Sequence, residues 1–252
     1  MLNSSKIKAV LCDIGGVLYV GDKPIDGAIE AVNAIKQKYP IRFLTNTTQK
    51  TSSQVVEKLQ KMGFDIDAQE LITALDITKR FLENEKSSAE FLLTEDAKKF
   101  FTDLQQYPKK YVVVGDAQEN FSYQNLNRAF RMLMEDAQLV AIAKNRYFKD
   151  ADNKLSMDAG CFVAALEYGA AKSSQLLGKP SRSFYHLACE DLGVKPNECM
   201  MIGDDIEGDI RGAQEAGLQA VLVKTGKFNL KDLDLGVHPD SVIDSIADFL
   251  EV

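Results

Sequence analysis

Residues 7–16 read IKAVLCDIGG, a mostly apolar run that ends in a carboxylate and then in a pair of glycines. A short apolar run of this kind is typical of a parallel strand that is buried on both faces. Open α/β sheets bind their ligands at the carboxyl edge, which is where Asp13 would lie. An Asp at a strand end can equally well cap the following turn, so this segment needs support from the rest of the chain.

Two later apolar runs also end in polar side chains. Residues 41–48 read IRFLTNTT and finish in hydroxyl and amide groups, whereas residues 200–205 read MMIGDD and are soon followed by Asp209. Adjacent carboxylates at a strand end repel each other unless a cation lies beside them. Hard oxygen ligands of this kind suit Mg²⁺. The acidic segment therefore predicts a site for a divalent cation.

A fourth segment supplies a positive charge. Residues 178–181 read GKPS and place the ammonium of Lys179 just ahead of a predicted helix. The four segments together offer a carboxylate that can attack, donors for oxyanions, a fixed positive charge and a cation site. Phosphoryl transfer needs this combination, because its transition state gains mainly from positioning and from neutralisation of phosphate charge.

The order Asp, Thr-Asn, Lys, Asp-Asp resembles the four motifs of the haloacid dehalogenase (HAD) superfamily of phosphatases and phosphotransferases. The likeness covers essentially the whole chain and is closest to the NagD-like branch, subfamily IIA, whose members carry a large α/β cap. The resemblance implies a Mg²⁺-dependent phosphatase that acts on a small phosphorylated metabolite through an aspartyl-phosphate intermediate.

The resemblance also implies a role for each matching residue. Asp13 would be the nucleophile, and Lys179 would bridge Asp13 and the phosphate. Mg²⁺ would be held by the first Asp, a backbone carbonyl two residues later and an acid of the last motif. The implied phosphate-binding residues are Gly15, Thr45, Asn46, Thr47 and Lys179, and the implied metal ligands are Asp13, Gly15 and Asp204, with Asp205 and Asp209 as supporting or alternate acids.

Position 15 departs from the family pattern. Phosphatases of the family usually carry a second Asp there, which protonates the leaving oxygen and later activates water, and the vertebrate relatives that this chain most resembles carry Ser. Gly15 offers a carbonyl to a metal but no proton, and positioned acid-base catalysis is typically worth about 10²- to 10⁴-fold. Two interpretations follow: an enzyme for activated bonds such as those of phosphoramidates or pyrophosphate, or a phosphate-binding pseudoenzyme with weak or no turnover.

The composition is typical of a soluble, cytoplasmic enzyme. A net charge of −7 argues against nucleic acid or an anionic membrane as a partner, and no apolar run approaches the roughly 20 residues that span a bilayer. The four cysteines lie far apart without metal-ligand spacing, which predicts free thiols. Family members often pair through their caps, which implies a homodimer, although no heptad or apolar stripe in this sequence requires one.

Strand and helix patterns alternate along the chain, which predicts an α/β protein with a Rossmann-like, doubly wound parallel sheet. All four motifs lie in residues 1–75 and 176–252, which we interpret as the core domain. Residues 76–175 are long enough for a second domain and, by the resemblance, form the α/β cap. We expect substrate specificity to depend on residues 144–161 of this insert. The periodicity further predicts a helix over residues 206–216.

Overall fold

The computed structural model describes residues 6–48, 51–149 and 154–251 and confirms the α/β class. In chain order the strands are β1 (Ala9–Asp13), β2 (Tyr19–Val20), β3 (Lys23–Pro24), β4 (Ile41–Thr45), β5 (Leu71–Thr73), β6 (Ser88–Leu92), β7 (Lys110–Val114), β8 (Gln138–Ala141), β9 (Tyr147–Lys149), β10 (Leu155–Met157), β11 (Gln175–Leu176), β12 (Cys199–Gly203), β13 (Gln219–Val223) and β14 (Ser241–Ile243). The α-helices are α1 (Ala28–Lys38), α2 (Ser52–Lys61), α3 (Ala74–Asn84), α4 (Glu95–Lys99), α5 (Tyr123–Met134), α6 (Ala159–Ala170), α7 (Arg182–Asp191) and α8 (Gly212–Glu215).

The chain divides into two compact units. The first consists of Met1–Thr45, Ser52–Ile72 and Lys179–Val252. Its sheet has the strand order β14-β13-β12-β1-β4-β5, with parallel pairing from β14 through to β4. Strand β1 lies between β4, which follows it in the chain, and β12, which comes from the C-terminal segment. The strand order therefore reverses beside β1, and a doubly wound sheet binds its ligand at this switch point.

Burial explains why β1 is a strand and where it ends. Its first four residues have no exposed surface, as expected for a strand that is covered on both faces. Val10 and Cys12 belong to one apolar cluster with Val32 of α1 and Leu59 of α2. The strand closes at Asp13, which is 8% exposed. Packing of the sheet thus fixes the backbone that presents this carboxylate.

The second unit consists of Asn46–Thr51 and Thr73–Gly178. Its parallel sheet has the order β11-β8-β7-β6, and an apolar cluster joins it to α5 and α6. Strands β9 and β10 form an antiparallel hairpin. Residues 150–153, which belong to the expected specificity segment, lie outside the described residues. None of the helices in the described parts of either unit is long and apolar enough to cross a membrane.

The predicted helix over residues 206–216 is present, but its first half has a wider turn than an α-helix. Ile206–Arg211 is a π-helix, and α8 covers only the residues that follow. The amides of Asp209 and Ile210 both donate to the carbonyl of Asp205, at 2.9 and 3.2 Å, which widens the turn. The hydroxyl of Tyr185 donates to the carbonyl of Gly208 at 2.5 Å, so a tertiary contact supports this wider backbone.

Candidate active site

The carboxylate of Asp13 lies against a buried lysine. The Nζ atom of Lys179 is 2.5 Å from Oδ1 of Asp13 and 2.6 Å from Oδ1 of Asp209. The exposed fractions of the three residues are 8% for Asp13, 7% for Lys179 and 1% for Asp209. One ammonium therefore bridges a carboxylate at the end of β1 and a carboxylate from the π-helix. The structure brings together three residues that stand far apart in the sequence.

Burial and neighbouring charges raise the pKa values of both members of this pair. Burial raises the pKa of Asp13 to about 7, helped by the neighbouring Asp209 and Asp204 and opposed by Lys179. Burial alone would lower the pKa of Lys179, but the charges of Asp13 and Asp209 outweigh it and hold that pKa well above its usual value. The lysine therefore stays charged while Asp13 titrates near neutral pH. Strongly shifted groups at the edge of a sheet are typical of a functional site.

A third carboxylate completes an acidic cluster. Asp204 follows β12 directly, and one oxygen from each of Asp13, Asp204 and Asp209 lies within 4.8 Å of the others. Burial raises the pKa of Asp204 to about 6, with a further contribution from the charge of Asp209. When all three acids are ionised, Lys179 balances only one of their charges. Buried hard oxygens with excess negative charge are suited to a divalent cation, so this donor set fits a metal such as Mg²⁺.

Asp205 has different surroundings from its neighbour Asp204. Its Oδ1 accepts hydrogen bonds from the amides of Glu207 and Gly208, at 3.1 and 2.8 Å, and thereby caps the π-helix. Its Oδ2 lies 3.1 Å from Nζ of Lys227. Burial would raise the pKa of Asp205, but Lys227 and the Gly208 amide outweigh it and lower that pKa. Among the predicted acids, Asp209 rather than Asp205 joins the cluster around Asp13.

The loop after β13 contacts this cluster, and the sequence motifs did not assign it a role. The backbone amide of Lys227 donates to Oδ2 of Asp204 at 2.7 Å, and the hydroxyl of Thr225 donates to the carbonyl of Gly16 at 2.5 Å. The available signal was the Thr-Gly-Lys triplet at residues 225–227. Tyr185 was also missed, because nothing in the pattern of α7 marks its hydroxyl as a support for the π-helix.

The glycine at position 15 leaves open space. A Cβ atom built there would meet no other atom within 4 Å, and its backbone does not need the left-handed region. Gly15 forms an isolated bridge with Tyr19. Packing therefore does not explain why this position is a glycine.

The predicted phosphate-binding residues follow β4. Thr45 is the last residue of that strand in the first unit and is 8% exposed. Asn46 and Thr47 come next in the chain and are grouped with the second unit. There, a Cβ added to Gly178 would lie 2.8 Å from Oδ1 of Asn46, so that glycine permits a close approach. The roles of these three residues stay predictions.

Two charged residues of the expected specificity segment, 144–161, have partners within the second unit. Asp158 accepts a hydrogen bond from the amide of Ala159 at 2.6 Å and caps α6. Lys144 forms an ion pair with Glu167 at 2.9 Å. Both contacts contribute to the local structure of the insert.

Comparison with known proteins identifies the family. The family model described as haloacid dehalogenase-like hydrolase matches residues 10–107, and the one described as HAD-hydrolase-like matches residues 176–249. The chain is 39% identical over 235 residues to haloacid dehalogenase-like hydrolase domain-containing protein 2 of Bos taurus, covering 93% of this chain and 90% of the relative. It is 38% identical over 252 residues to phospholysine phosphohistidine inorganic pyrophosphate phosphatase of Xenopus laevis, covering 97% and 92%.

Solved structures share the fold. A 4-nitrophenylphosphatase from Thermotoga maritima has a TM-score of 0.90 at 24% identity, covering 99% of this chain and 98% of its own. NagD from E. coli K-12 has a TM-score of 0.85 at 23% identity, covering 96% and 98%. The chain belongs to the haloacid dehalogenase-like hydrolases and is an enzyme of their hydrolase and phosphatase type. Within that family its fold is that of the NagD-like branch, subfamily IIA, as the motifs predict.

Proposed function

We propose that this chain is a Mg²⁺-dependent phosphatase of small phosphorylated molecules that uses Asp13 as its nucleophile. The observation that carries the proposal is the contact between Asp13 and Lys179 beside two further buried acids. A purely structural role for this cluster would leave excess negative charge in the interior, which is costly without a ligand. A cation and a phosphate together account for both the acids and the lysine.

In the proposed reaction, a carboxylate oxygen of Asp13 attacks phosphorus and forms an aspartyl phosphate. The bond to the leaving group breaks, and the leaving group departs with the bonding electron pair. Water then attacks the phosphorus of the intermediate, which releases inorganic phosphate and regenerates the carboxylate. Lys179 holds Asp13 in place before attack and balances charge on the phosphate oxygens during it.

The cation would be held by Asp13, the carbonyl of Gly15 and Asp204. Asp209 contributes through its contact with Lys179, and Asp205 through its cap of the π-helix. Mg²⁺ held by these residues would supply positive charge beside the phosphoryl oxygens. Thr45, Asn46 and Thr47 would supply hydroxyl and amide donors to the same oxygens.

Gly15 narrows the substrate class. Without a carboxylic acid at this position the enzyme favours bonds that break without a proton from the protein. Pyrophosphate and aryl phosphates release stable anions, and the nitrogen of a phosphoramidate takes its proton from solvent before the bond breaks. The name of the Xenopus laevis relative gives phospholysine, phosphohistidine and pyrophosphate as the substrates of that protein. We therefore propose a phosphoramidate or pyrophosphate as the substrate of this chain.

The insert at residues 76–175 would act as the cap that closes over the substrate and excludes water. We also propose that the chain forms a homodimer and that it is located in the cytoplasm. Light scattering of the purified chain and fractionation of cells test these two points. The alternative of a phosphate-binding pseudoenzyme finds no support in the family comparisons.

The decisive experiment measures steady-state hydrolysis of p-nitrophenyl phosphate, pyrophosphate and an N-phosphorylated amine, with Mg²⁺ and with EDTA. p-Nitrophenyl phosphate is included because its phenolate leaves without a strong acid. We expect metal-dependent phosphate release from all three, and none from Asp13→Asn. A wild-type chain that releases no phosphate from any of them would refute the proposal.

A further inference from the structure

We infer that residues 225–227, the loop after β13, are positioning residues that hold Asp204 for the cation and so determine how tightly the enzyme binds it. This inference rests on the proposed function, because it concerns the same cation site. The loop touches both the acid at the end of β12 and the turn after Asp13.

The first contact fixes the orientation of the carboxylate. The amide of Lys227 donates to Oδ2 of Asp204 at 2.7 Å. That hydrogen bond restrains rotation of the carboxylate, and it leaves Oδ1 as the oxygen that we assign to the cation. A ligand that is oriented before binding loses less entropy when the metal arrives. Hydrogen-bond partners of metal ligands act in this way in many metal sites.

The second contact is a close approach of two glycines around the same carboxylate. A Cβ atom at Gly16 would lie 2.0 Å from Oδ2 of Asp204, and one at Gly226 would lie 2.1 Å from the same atom and 2.5 Å from the Cα of Gly16. Both glycines have left-handed backbones, with φ of +88° and +66°. Any side chain at Gly226 must therefore displace the carboxylate, the turn after the nucleophile, or both.

The third contact ties the loop to the nucleophile turn. The hydroxyl of Thr225 donates to the carbonyl of Gly16 at 2.5 Å. This carbonyl is next to that of Gly15, which the proposed function assigns to the cation. One short loop thus contacts Asp204 directly and also holds the turn that contains Gly15, about two hundred residues away in sequence.

The side chain of Lys227 acts separately from its amide. Its Nζ lies 3.1 Å from Asp205 and the side chain is largely exposed. The contact with Asp204 comes from its backbone amide.

The test compares Gly226→Ala with Gly193→Ala in the full-length chain. Gly193 has the same φ of +66°, but a Cβ there would meet nothing within 4 Å. Both variants thus add the same backbone strain, and only Gly226→Ala disturbs Asp204. The readout is the affinity for Mg²⁺ and for Mn²⁺ by isothermal titration calorimetry without substrate, together with the melting temperature in EDTA.

We expect Gly226→Ala to weaken cation binding about 10- to 100-fold relative to Gly193→Ala. Thr225→Val should weaken it less, and Thr225→Ser, which keeps the hydroxyl, should restore it. Thr225→Val also serves as the second variant if Gly226→Ala fails to fold. Equal affinities in Gly226→Ala and Gly193→Ala, or in Thr225→Val and wild type, would overturn the inference while leaving the proposed function intact. A wild-type chain that binds neither ion would overturn the proposed cation site itself, and the inference with it.

Discussion

Each of the two units holds a parallel sheet with an aspartate at the carboxyl end of an inner strand, yet the two aspartates have different partners. In the second unit, Asp116 follows β7 and Gly115, and its Oδ1 accepts a hydrogen bond from the amide of Gln118 at 3.0 Å. In the first unit, Asp13 at the end of β1 meets the ammonium of Lys179. Asp116 in the second unit caps a turn, whereas Asp13 in the first unit belongs to a cluster of charged side chains.

The neighbouring strand ends explain the difference. Next to β1, strand β12 runs directly into Asp204, so two carboxylates share one edge of the sheet. Next to β7, the residues that follow β6 and β8 are Leu93 and Ile142, both fully buried. An aspartate at a strand end is therefore ambiguous by itself, and its neighbours across the sheet decide between a turn cap and a reactive site.

Replacement of each aspartate in turn should show the difference between the two sheet edges most clearly. Asp13→Asn removes the proposed nucleophile and should lower kcat by about 10⁴- to 10⁶-fold, as loss of a nucleophile does in other enzymes. Asp116→Asn serves as the matched change in the second unit and should leave kcat for p-nitrophenyl phosphate near the wild-type value. Comparable losses in both variants would show that the difference between the two sheet edges is not functional.

A pair of lysines offers the next largest contrast. Lys179→Met removes the charge between Asp13 and Asp209 and should lower kcat about 10²- to 10³-fold. Because Lys179 lowers the pKa of Asp13, the pH at which activity is half-maximal should also move upward. Lys172 instead donates to the carbonyls of Leu133 and Ala137 in the second unit, so Lys172→Met should reduce the free energy of unfolding by about 1 kcal/mol and spare turnover. An unchanged kcat in Lys179→Met would remove that residue from the reaction.

A carboxylic acid at position 15 should show whether the proposed site beside Asp13 lacks a proton donor for the leaving group. The space around Gly15 admits a Cβ, so Gly15→Asp should raise turnover of alkyl phosphates by up to about 10²-fold and that of aryl phosphates much less. Gly15→Ala provides the control, since it fills the same space without an acid. Equal gains on both substrate types would mean that leaving-group protonation is not what the wild type lacks.

The smallest expected effect is on stability without metal. The pKa of Asp13 is raised from 3.8 to about 7, so the folded state binds more protons than the unfolded state between these values. Stability from this group is present at low pH and is lost as the pH rises from about 4 to 7. In EDTA, Asp13→Asn should be more stable than wild type at pH 8 by about 1–2 kcal/mol in urea unfolding, and the gap should close near pH 4.

Asp205→Asn should change stability with the opposite sign. The pKa of Asp205 is lowered in the folded state, so its contribution is present above its unfolded value and is lost as the pH falls. Removal of this carboxylate should therefore destabilise the chain at pH 8 and matter little in acid. If the free energy of unfolding of both variants, relative to wild type, changed with pH in the same direction, Asp13 and Asp205 would not lie in different environments.

Much of the first unit was predictable because its signals are local. The apolar runs that became β1, β4 and β12 each end in polar residues that we assign to the proposed site, and parallel strands bring such ends to one edge. The proximity of Asp13 and Asp204 followed from this rule, whereas the place of Lys179 beside them was implied by the family resemblance. The sequence could not show whether Asp205 or Asp209 lies closer to Asp13. That choice depends on the width of the helical turn between them.

The features that were missed depend on contacts between distant parts of the chain. Residues 206–211 have ordinary helical periodicity, and the π-helix is supported by a hydroxyl from Tyr185 in another helix. The approach of Gly16 to Gly226 likewise joins the two ends of the sequence. Pattern analysis detects the period of a helix and the end of a strand, but it carries no information on which distant backbones touch.

The open space at Gly15 has an evolutionary consequence. A single nucleotide change converts any glycine codon into a codon for Asp or Glu, and the backbone here would accept a Cβ without collision. A carboxylate at this position is therefore one mutation away, and the fold presents no steric barrier to it.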